Sequence, residues 1–174
     1  AESLMKGNQL SRDKAKVLIK KLFLNYPDSK ESLEALKLLV DENELTVDDL
    51  ASLPKSLANR SSSVAIARVR LSIEKQPLEV LRSWKGEAEI LDLQWELARE
   101  AILKQDFDYA LTLLSIFSNI KLPEPALARI RFWKALIQEK KGKRVLSREL
   151  WQELVDQHPP SYYTWRAHQR LGNT

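Results

Sequence analysis

Apolar residues recur every three or four positions along most of this chain, in segments that short turn sequences separate. This spacing places them on one face of an α-helix and indicates a series of amphipathic helices. In the first segment, over about 11–26, the apolar residues are Ala15, Leu18, Ile19, Leu22 and Phe23. Pro27 ends that segment, because the residue before a proline is disfavoured in the helical conformation. Only four glycines occur in 174 residues, whereas an all-β chain would need many more turn glycines.

Capping and stop residues predict where the other helices begin and end. Asp28 is predicted to begin a capping box that opens the second helix, and Ser161 to cap the last one. Gly142 is predicted to end a long helix, since glycine favours the position after a helix C-terminus. The later helices are expected over about 28–43, 63–75, 77–84, 87–104, 107–117, 123–140, 146–155 and 161–171, with short helical pieces from Thr46 and Pro54.

Helices joined by short turns pack antiparallel as hairpins, and a hairpin buries both apolar faces only when another stacks on it. The chain also contains a degenerate internal repeat, in which residues 11–39 align with 143–171. The aligned pairs are Leu18 and Leu150, Leu22 and Leu154, Pro27 and Pro159, Ser29 and Ser161, Ala35 and Ala167, and Leu39 and Leu171. We therefore predict an all-α fold of stacked antiparallel helical hairpins. We expect these hairpins to form a right-handed superhelix, that is, a tetratricopeptide-like solenoid. We also expect residues 1–174 to form a single repeat domain.

No catalytic residue, cofactor site or metal site is predicted. His158 and His168 have no third ligand at zinc spacing, cysteine is absent, and the isolated glycines cannot build a phosphate loop. The acidic pairs Asp48/Asp49 and Glu87/Glu89 could resemble a glycosidase pair, but their places at helix starts favour capping.

The charge pattern gives little support for nucleic-acid binding. The net charge is +4, and the one basic cluster comprises Lys140, Lys141, Lys143 and Arg144. We interpret this cluster as a solvated helix end, because nucleic-acid binding would need basic residues aligned on one face. No apolar run approaches the ~20 residues that span a bilayer, so no transmembrane segment is predicted.

The five tryptophans fall into two groups. Trp95, Trp133 and Trp151 lie on the apolar faces of their helices, and we predict that they pack in the core. The other two tryptophans, with two tyrosines and one arginine, are candidates for contact with a glycan or with a following domain. These candidate residues are Trp84, Tyr162, Tyr163, Trp165 and Arg166.

The C-terminal part of the chain resembles the last repeat of the α-superhelical domain in soluble lytic transglycosylases. The residues that carry the resemblance are RFWKAL at 131–136, KGK at 141–143, LWQELV at 150–155, HPPSYY at 158–163 and RLG at 170–172. FLNYPDS at 23–29 is similar to an earlier repeat of the same array. The family tends to have glycine where this chain has Thr164.

The resemblance implies a non-catalytic helical scaffold. In the family a lysozyme-like domain follows the superhelix, carries a Glu-Ser-x-Phe motif and cleaves the MurNAc–GlcNAc bond to give 1,6-anhydro-muropeptides. Glu2 begins a superficial echo of that motif, at the wrong end and without the phenylalanine, and is not expected to be catalytic. The chain is therefore expected to be a fragment that lacks the catalytic domain.

The expected partners are the peptidoglycan strand and the protein's own downstream catalytic domain, and the expected location is the periplasm or cell envelope. The chain starts without a signal-peptide pattern, which fits a cytoplasmic protein, a removed signal or an excised fragment alike. If the resemblance does not hold, the expected location is the cytoplasm. The alternative function is an independent tetratricopeptide-like adaptor that presents a surface to a protein partner.

Overall fold

The structure is a computed structural model that describes residues 9–42 and 44–172 of the chain. These residues form eleven α-helices and no strand, which confirms the all-α prediction. The helices are α1 (Gln9–Asn25), α2 (Lys30–Asp41), α3 (Val47–Ser52), α4 (Lys55–Ala58), α5 (Ser62–Arg70), α6 (Pro77–Ser83), α7 (Ala88–Leu103), α8 (Phe107–Ser115), α9 (Glu124–Lys140), α10 (Arg144–Gln157) and α11 (Tyr162–Leu171). In this described part of the chain, no helix is long and apolar enough to cross a membrane. Glu2 and Asn43 lie outside the described residues.

The chain divides into two compact units, with the boundary between Val80 and Leu81, inside α6. Solenoids also divide in this way, because each repeat contacts only its neighbours. A single repeat domain over 1–174 and a right-handed superhelix therefore stay predictions.

The N-terminal unit is built on the hairpin of α1 and α2. Ile19 and Phe23 on α1 and Leu36 on α2 are buried in its core, which Leu53 and Leu57 extend towards the short helices. Arg68 on α5 donates from Nη1 to the carbonyl oxygen of Leu50 at 2.6 Å, near the C-terminal end of α3. The Arg68 side chain thus supplies a donor to the Leu50 carbonyl, which has no partner within a helix as short as α3.

Two predicted helix boundaries in this unit were wrong. The N-cap of α2 is Ser29, whose Oγ accepts from the backbone N–H of Ser32 at 3.1 Å, and not Asp28. Asp28 lies in the turn before the helix, because the Ser29 N–H donates to the carbonyl oxygen of Tyr26 and closes that turn. Helix α5 ends at Arg70 rather than near Lys75, because Ser72 has a φ of 57° and turns the chain out of the helix.

Helix α3 lies where a short helical piece from Thr46 was predicted, and it begins with a capping box formed by Thr46 and Asp49. The Asp49 carboxylate accepts from the Thr46 N–H at 3.1 Å, and Lys20 Nζ lies 2.5 Å from its other oxygen. Burial raises the pKa of Asp49, but the hydrogen bonds from Lys20 and Thr46 outweigh it and hold the pKa below its ordinary value. The ionised carboxylate therefore stabilises this unit.

We expect Asp49→Asn to lower the free energy of unfolding by about 1 kcal/mol at pH 7. A depressed carboxyl pKa contributes stability above the unfolded-state value, and that stability is lost as the pH falls through the folded value. The difference from wild type should therefore shrink below about pH 4. Urea unfolding across this pH range measures it, with Asp48→Asn at an exposed neighbouring carboxylate as the control. An equal difference at pH 7 and at low pH would show that ionisation of Asp49 does not matter.

In the C-terminal unit each helix packs on the next from α7 to α11, and α9 also contacts α11. The turns follow the sequence predictions: Gln105 has a φ of 60°, and Gly142 and Gly172 have φ values of 78° and 79°. Ile90, Leu113 and Ile137 are fully buried in this unit, and Trp151 and Leu154 are buried in the cluster formed by α9, α10 and α11. This packing positions the N-terminal ends of α7, α9 and α11.

The internal repeat corresponds to a repeated local geometry. Ser29 and Ser161 are both N-caps, and the third helical residue after each carries a buried hydroxyl, on Ser32 and Thr164. The Ser32 hydroxyl donates to the Tyr26 carbonyl at 2.6 Å, which ties the second helix to the preceding turn. Thr164 Oγ1 accepts from the Ser161 N–H at 2.7 Å and completes a capping box. The hydroxyl at Thr164 thus has a role in the cap that glycine could not perform.

Candidate contact face of the C-terminal unit

The first turn of α11 exposes two large aromatic rings. The cap at Ser161 fixes where the helix begins, and it thereby places Tyr162 and Trp165 three residues apart on one side. Tyr162 is 64% exposed and Trp165 is 53% exposed, and their ring centroids lie 6.2 Å apart. Neighbouring exposed rings of this kind offer an apolar surface for a ligand.

A chain of ring contacts connects this surface to the interior. Tyr163 lies 5.4 Å from Tyr162 and 5.7 Å from Phe132, measured between ring centroids. Phe132 is 6.0 Å from Trp133 in an edge-to-face arrangement, and Trp133 is 5.4 Å from Trp95. Because each inner ring is at least half-buried, the exposed pair rests on a rigid base.

A groove of about 330 Å³ lies beside this aromatic chain. Its walls come from α7, from α9 with its N-cap, and from α11, which are alternate helices in the chain order. The lining residues are Ala88, Leu91, Asp92, Pro123, Pro125, Ala126, Arg129 and Tyr163. These residues are far apart in the sequence, and the packing of three helices brings them together at one groove.

Arg129 is held in place at this groove by an aromatic ring. Its guanidinium carbon lies 4.9 Å from the ring centroid of Trp95, a cation–π distance, and its Nε is buried without a hydrogen-bond partner. Arg129 and Asp92 both line the groove. Neither side chain forms an ion pair with another residue that the structure describes. The groove therefore has mainly apolar walls and one charged side chain of each sign, neither of which forms an ion pair within the described part of the chain.

Some other charged side chains of this unit pair with each other. His158 is buried, and its Nδ1 lies 2.9 Å from a carboxylate oxygen of Glu124, so the ring links the end of α10 to the start of α9. Burial lowers the pKa of Lys134, and the neighbouring Arg131 lowers it further. No group of three metal-binding side chains occurs in the ranges that the structure describes.

The basic cluster at the end of α9 is a solvated helix end, as its sequence suggested. Lys140, Lys143 and Arg144 are exposed, and Lys141 pairs with the exposed Asp108. The hydrogen bond from Lys141, with the charge of that lysine, holds the pKa of Asp108 below its ordinary value.

The structure brings only some of the predicted contact residues together. Tyr162, Tyr163 and Trp165 form one cluster, whereas Trp84 lies in the turn after α6 and shares none of the ring contacts in the described ranges. Arg166 is half-buried and its Nη1 lies 3.3 Å from Gln169 on the same helix. Trp84 and Arg166 thus stay predictions as contact residues, outside the geometry of the cluster.

Of the three tryptophans predicted to pack in the core, Trp151 and Trp133 do so, and Trp95 is partly buried outside the core clusters. Trp151 is 2% exposed, Trp133 packs against the same cluster, and Trp95 is half-buried against Trp133. Sequence reasoning missed Arg129 and Asp92. The four-residue spacing of Arg129 and Trp133 placed both on one helix face, but the stacking partner, Trp95, comes from a different helix.

Comparisons with protein-family models, with curated proteins and with solved structures give no match for this chain.

Proposed function

We propose that this chain is the non-catalytic helical scaffold of a peptidoglycan lytic transglycosylase, and that the chemistry lies in another part of the parent protein. The observation that carries the proposal is the exposed pair Tyr162 and Trp165 at the start of α11. Tyr162 lies in HPPSYY at 158–163, one of the segments that carry the resemblance, and Trp165 follows this segment by two residues. The face that these rings form would contact the glycan strand or the catalytic domain.

Physical chemistry supports a sugar ligand for the exposed pair. The faces of aromatic rings are apolar and carry partial negative charge, so they attract the C–H groups of a pyranose ring. Two rings 6.2 Å apart offer more contact area than one, and their packed base limits the loss of side-chain entropy on binding. The corresponding fold proposal is a right-handed superhelix of stacked hairpins, which the repeated Ser29 and Ser161 turns support.

The first experiment compares this chain with the full-length product of its gene on purified peptidoglycan. We expect the full-length protein to release 1,6-anhydro-muropeptides and this chain to release none, with products identified by mass spectrometry. Sedimentation with peptidoglycan should fall several-fold in a Tyr162→Ala, Trp165→Ala double variant of the full-length protein. Val145→Ala, at a 75% exposed apolar residue on α10, is the matched control.

The outcomes separate the two candidate functions. If the full-length protein does not act on the wall and does not bind it, the scaffold proposal fails and the tetratricopeptide-like adaptor takes its place. If the wall is cleaved but the double variant sediments like wild type, the aromatic pair is not the contact with the glycan. A cell-envelope location goes with the scaffold function, and cell fractionation of the native protein tests it.

A further inference from the structure

The groove between α7, α9 and α11 is separate in its chemistry from the exposed aromatic pair. Its walls are mainly apolar, from Leu91, Pro123 and Pro125, and they contain few hydrogen-bonding side chains. A sugar carries hydroxyls around its whole edge and would leave most of them unpaired there. A peptide places apolar side chains next to charged ones, which fits these walls better.

Arg129 supplies the charge for an anion. A guanidinium presents a planar set of donors that matches a carboxylate, and the stacking on Trp95 fixes its orientation before a ligand arrives. No carboxylate within the described ranges pairs with Arg129, so a ligand would not have to displace an internal partner. Preorganisation of this kind lowers the entropic cost of binding.

Asp92 supplies the complementary charge on the wall formed by α7. It is exposed, and it is also without an ion-pair partner among the residues that the structure describes. A ligand with carboxylates alone would be repelled by Asp92, and a ligand with basic groups alone would be repelled by Arg129. Together the two side chains select a ligand that carries both charges.

We propose that this groove binds a peptide segment that carries an acidic side chain next to a basic one, flanked by apolar residues. The acidic group pairs with Arg129, the basic group pairs with Asp92, and the apolar residues pack on Leu91, Pro125 and Tyr163. This inference goes beyond the scaffold function and does not depend on it, because the groove binds peptide whether or not the parent enzyme cleaves glycan.

The test is selection of a random heptapeptide display library on this chain, followed by binding of the enriched synthetic peptides to purified protein. We expect enriched sequences with Asp or Glu beside Lys or Arg. Arg129→Met should weaken their binding by about tenfold or more, the effect of losing a charged hydrogen bond. Asp92→Asn should weaken it less, because Asp92 is exposed. Arg148→Met, at an exposed arginine on α10, is the matched control and should bind like wild type.

Because Arg129 also packs on Trp95, a second variant is needed to separate a lost contact with the ligand from a disturbed fold. Arg129→Lys keeps the charge and most of the stem but loses the planar donor pair, and it should also bind more weakly than wild type. The Arg129 Nε–H resonance should shift on addition of an enriched peptide. The proposal is overturned if no acidic–basic consensus emerges, or if the peptides bind Arg129→Met and wild type equally. It is also overturned if peptide-free glycan strands, and not peptides, shift the Arg129 resonance.

Discussion

Trp151→Ala should lower the free energy of unfolding of this protein by about 3–5 kcal/mol, the usual cost of deleting a large buried aromatic side chain. Trp151 is 2% exposed and lies between α9 and α11, against Ala128, Ala135 and Leu154. Truncation leaves a cavity that these helices cannot fill without moving. Guanidinium unfolding followed by circular dichroism measures the change.

Trp151→Phe distinguishes lost packing from lost hydrogen bonding. The indole Nε1 of Trp151 is buried without a hydrogen-bond partner, so phenylalanine removes an unsatisfied donor while it keeps most of the ring. The expected cost is therefore about 1 kcal/mol, well below that of alanine. If phenylalanine cost as much as alanine, the indole would have a partner or a role that the packing does not show.

Ala167→Leu should cost about 1–3 kcal/mol, because extra volume in a packed helix contact forces side chains and backbone apart. Ala167 is 0% exposed, and it packs in the same cluster as Ala128 and Ala135 from α9. The small side chain is what allows α11 to lie close to its neighbours.

The control for this prediction is His168→Leu, which adds an apolar side chain at an exposed position of the same helix. It should change stability by less than about 0.5 kcal/mol, as surface substitutions usually do. Ala35→Leu tests the aligned position of the internal repeat, where the residue is 8% exposed, and it should be destabilising in the same direction. If Ala167→Leu unfolds like wild type, the small residue is not needed at this contact.

The sequence determined the helices and most of their ends. The spacing of apolar residues is a local property of the chain, and caps such as Thr46 and Ser161 act through hydrogen bonds three residues away. Local reasoning failed at Asp28, because its neighbour Ser29 can also cap the helix, and at 71–75, where either Arg70 or Lys75 could end the helix. The choice between them depends on which conformation the surrounding packing accepts.

The tertiary structure decided what the helices form together. The stacking of Arg129 on Trp95, the chain of rings from Trp165 to Trp133 and the groove beside it join residues from α7, α9 and α11. Such residues are far apart in the sequence, and their meeting depends on how helices with small contact residues such as Ala167 approach each other. Helix formation is governed by neighbours within one or two turns, whereas a binding surface is governed by the packing of separate helices, which no local pattern encodes.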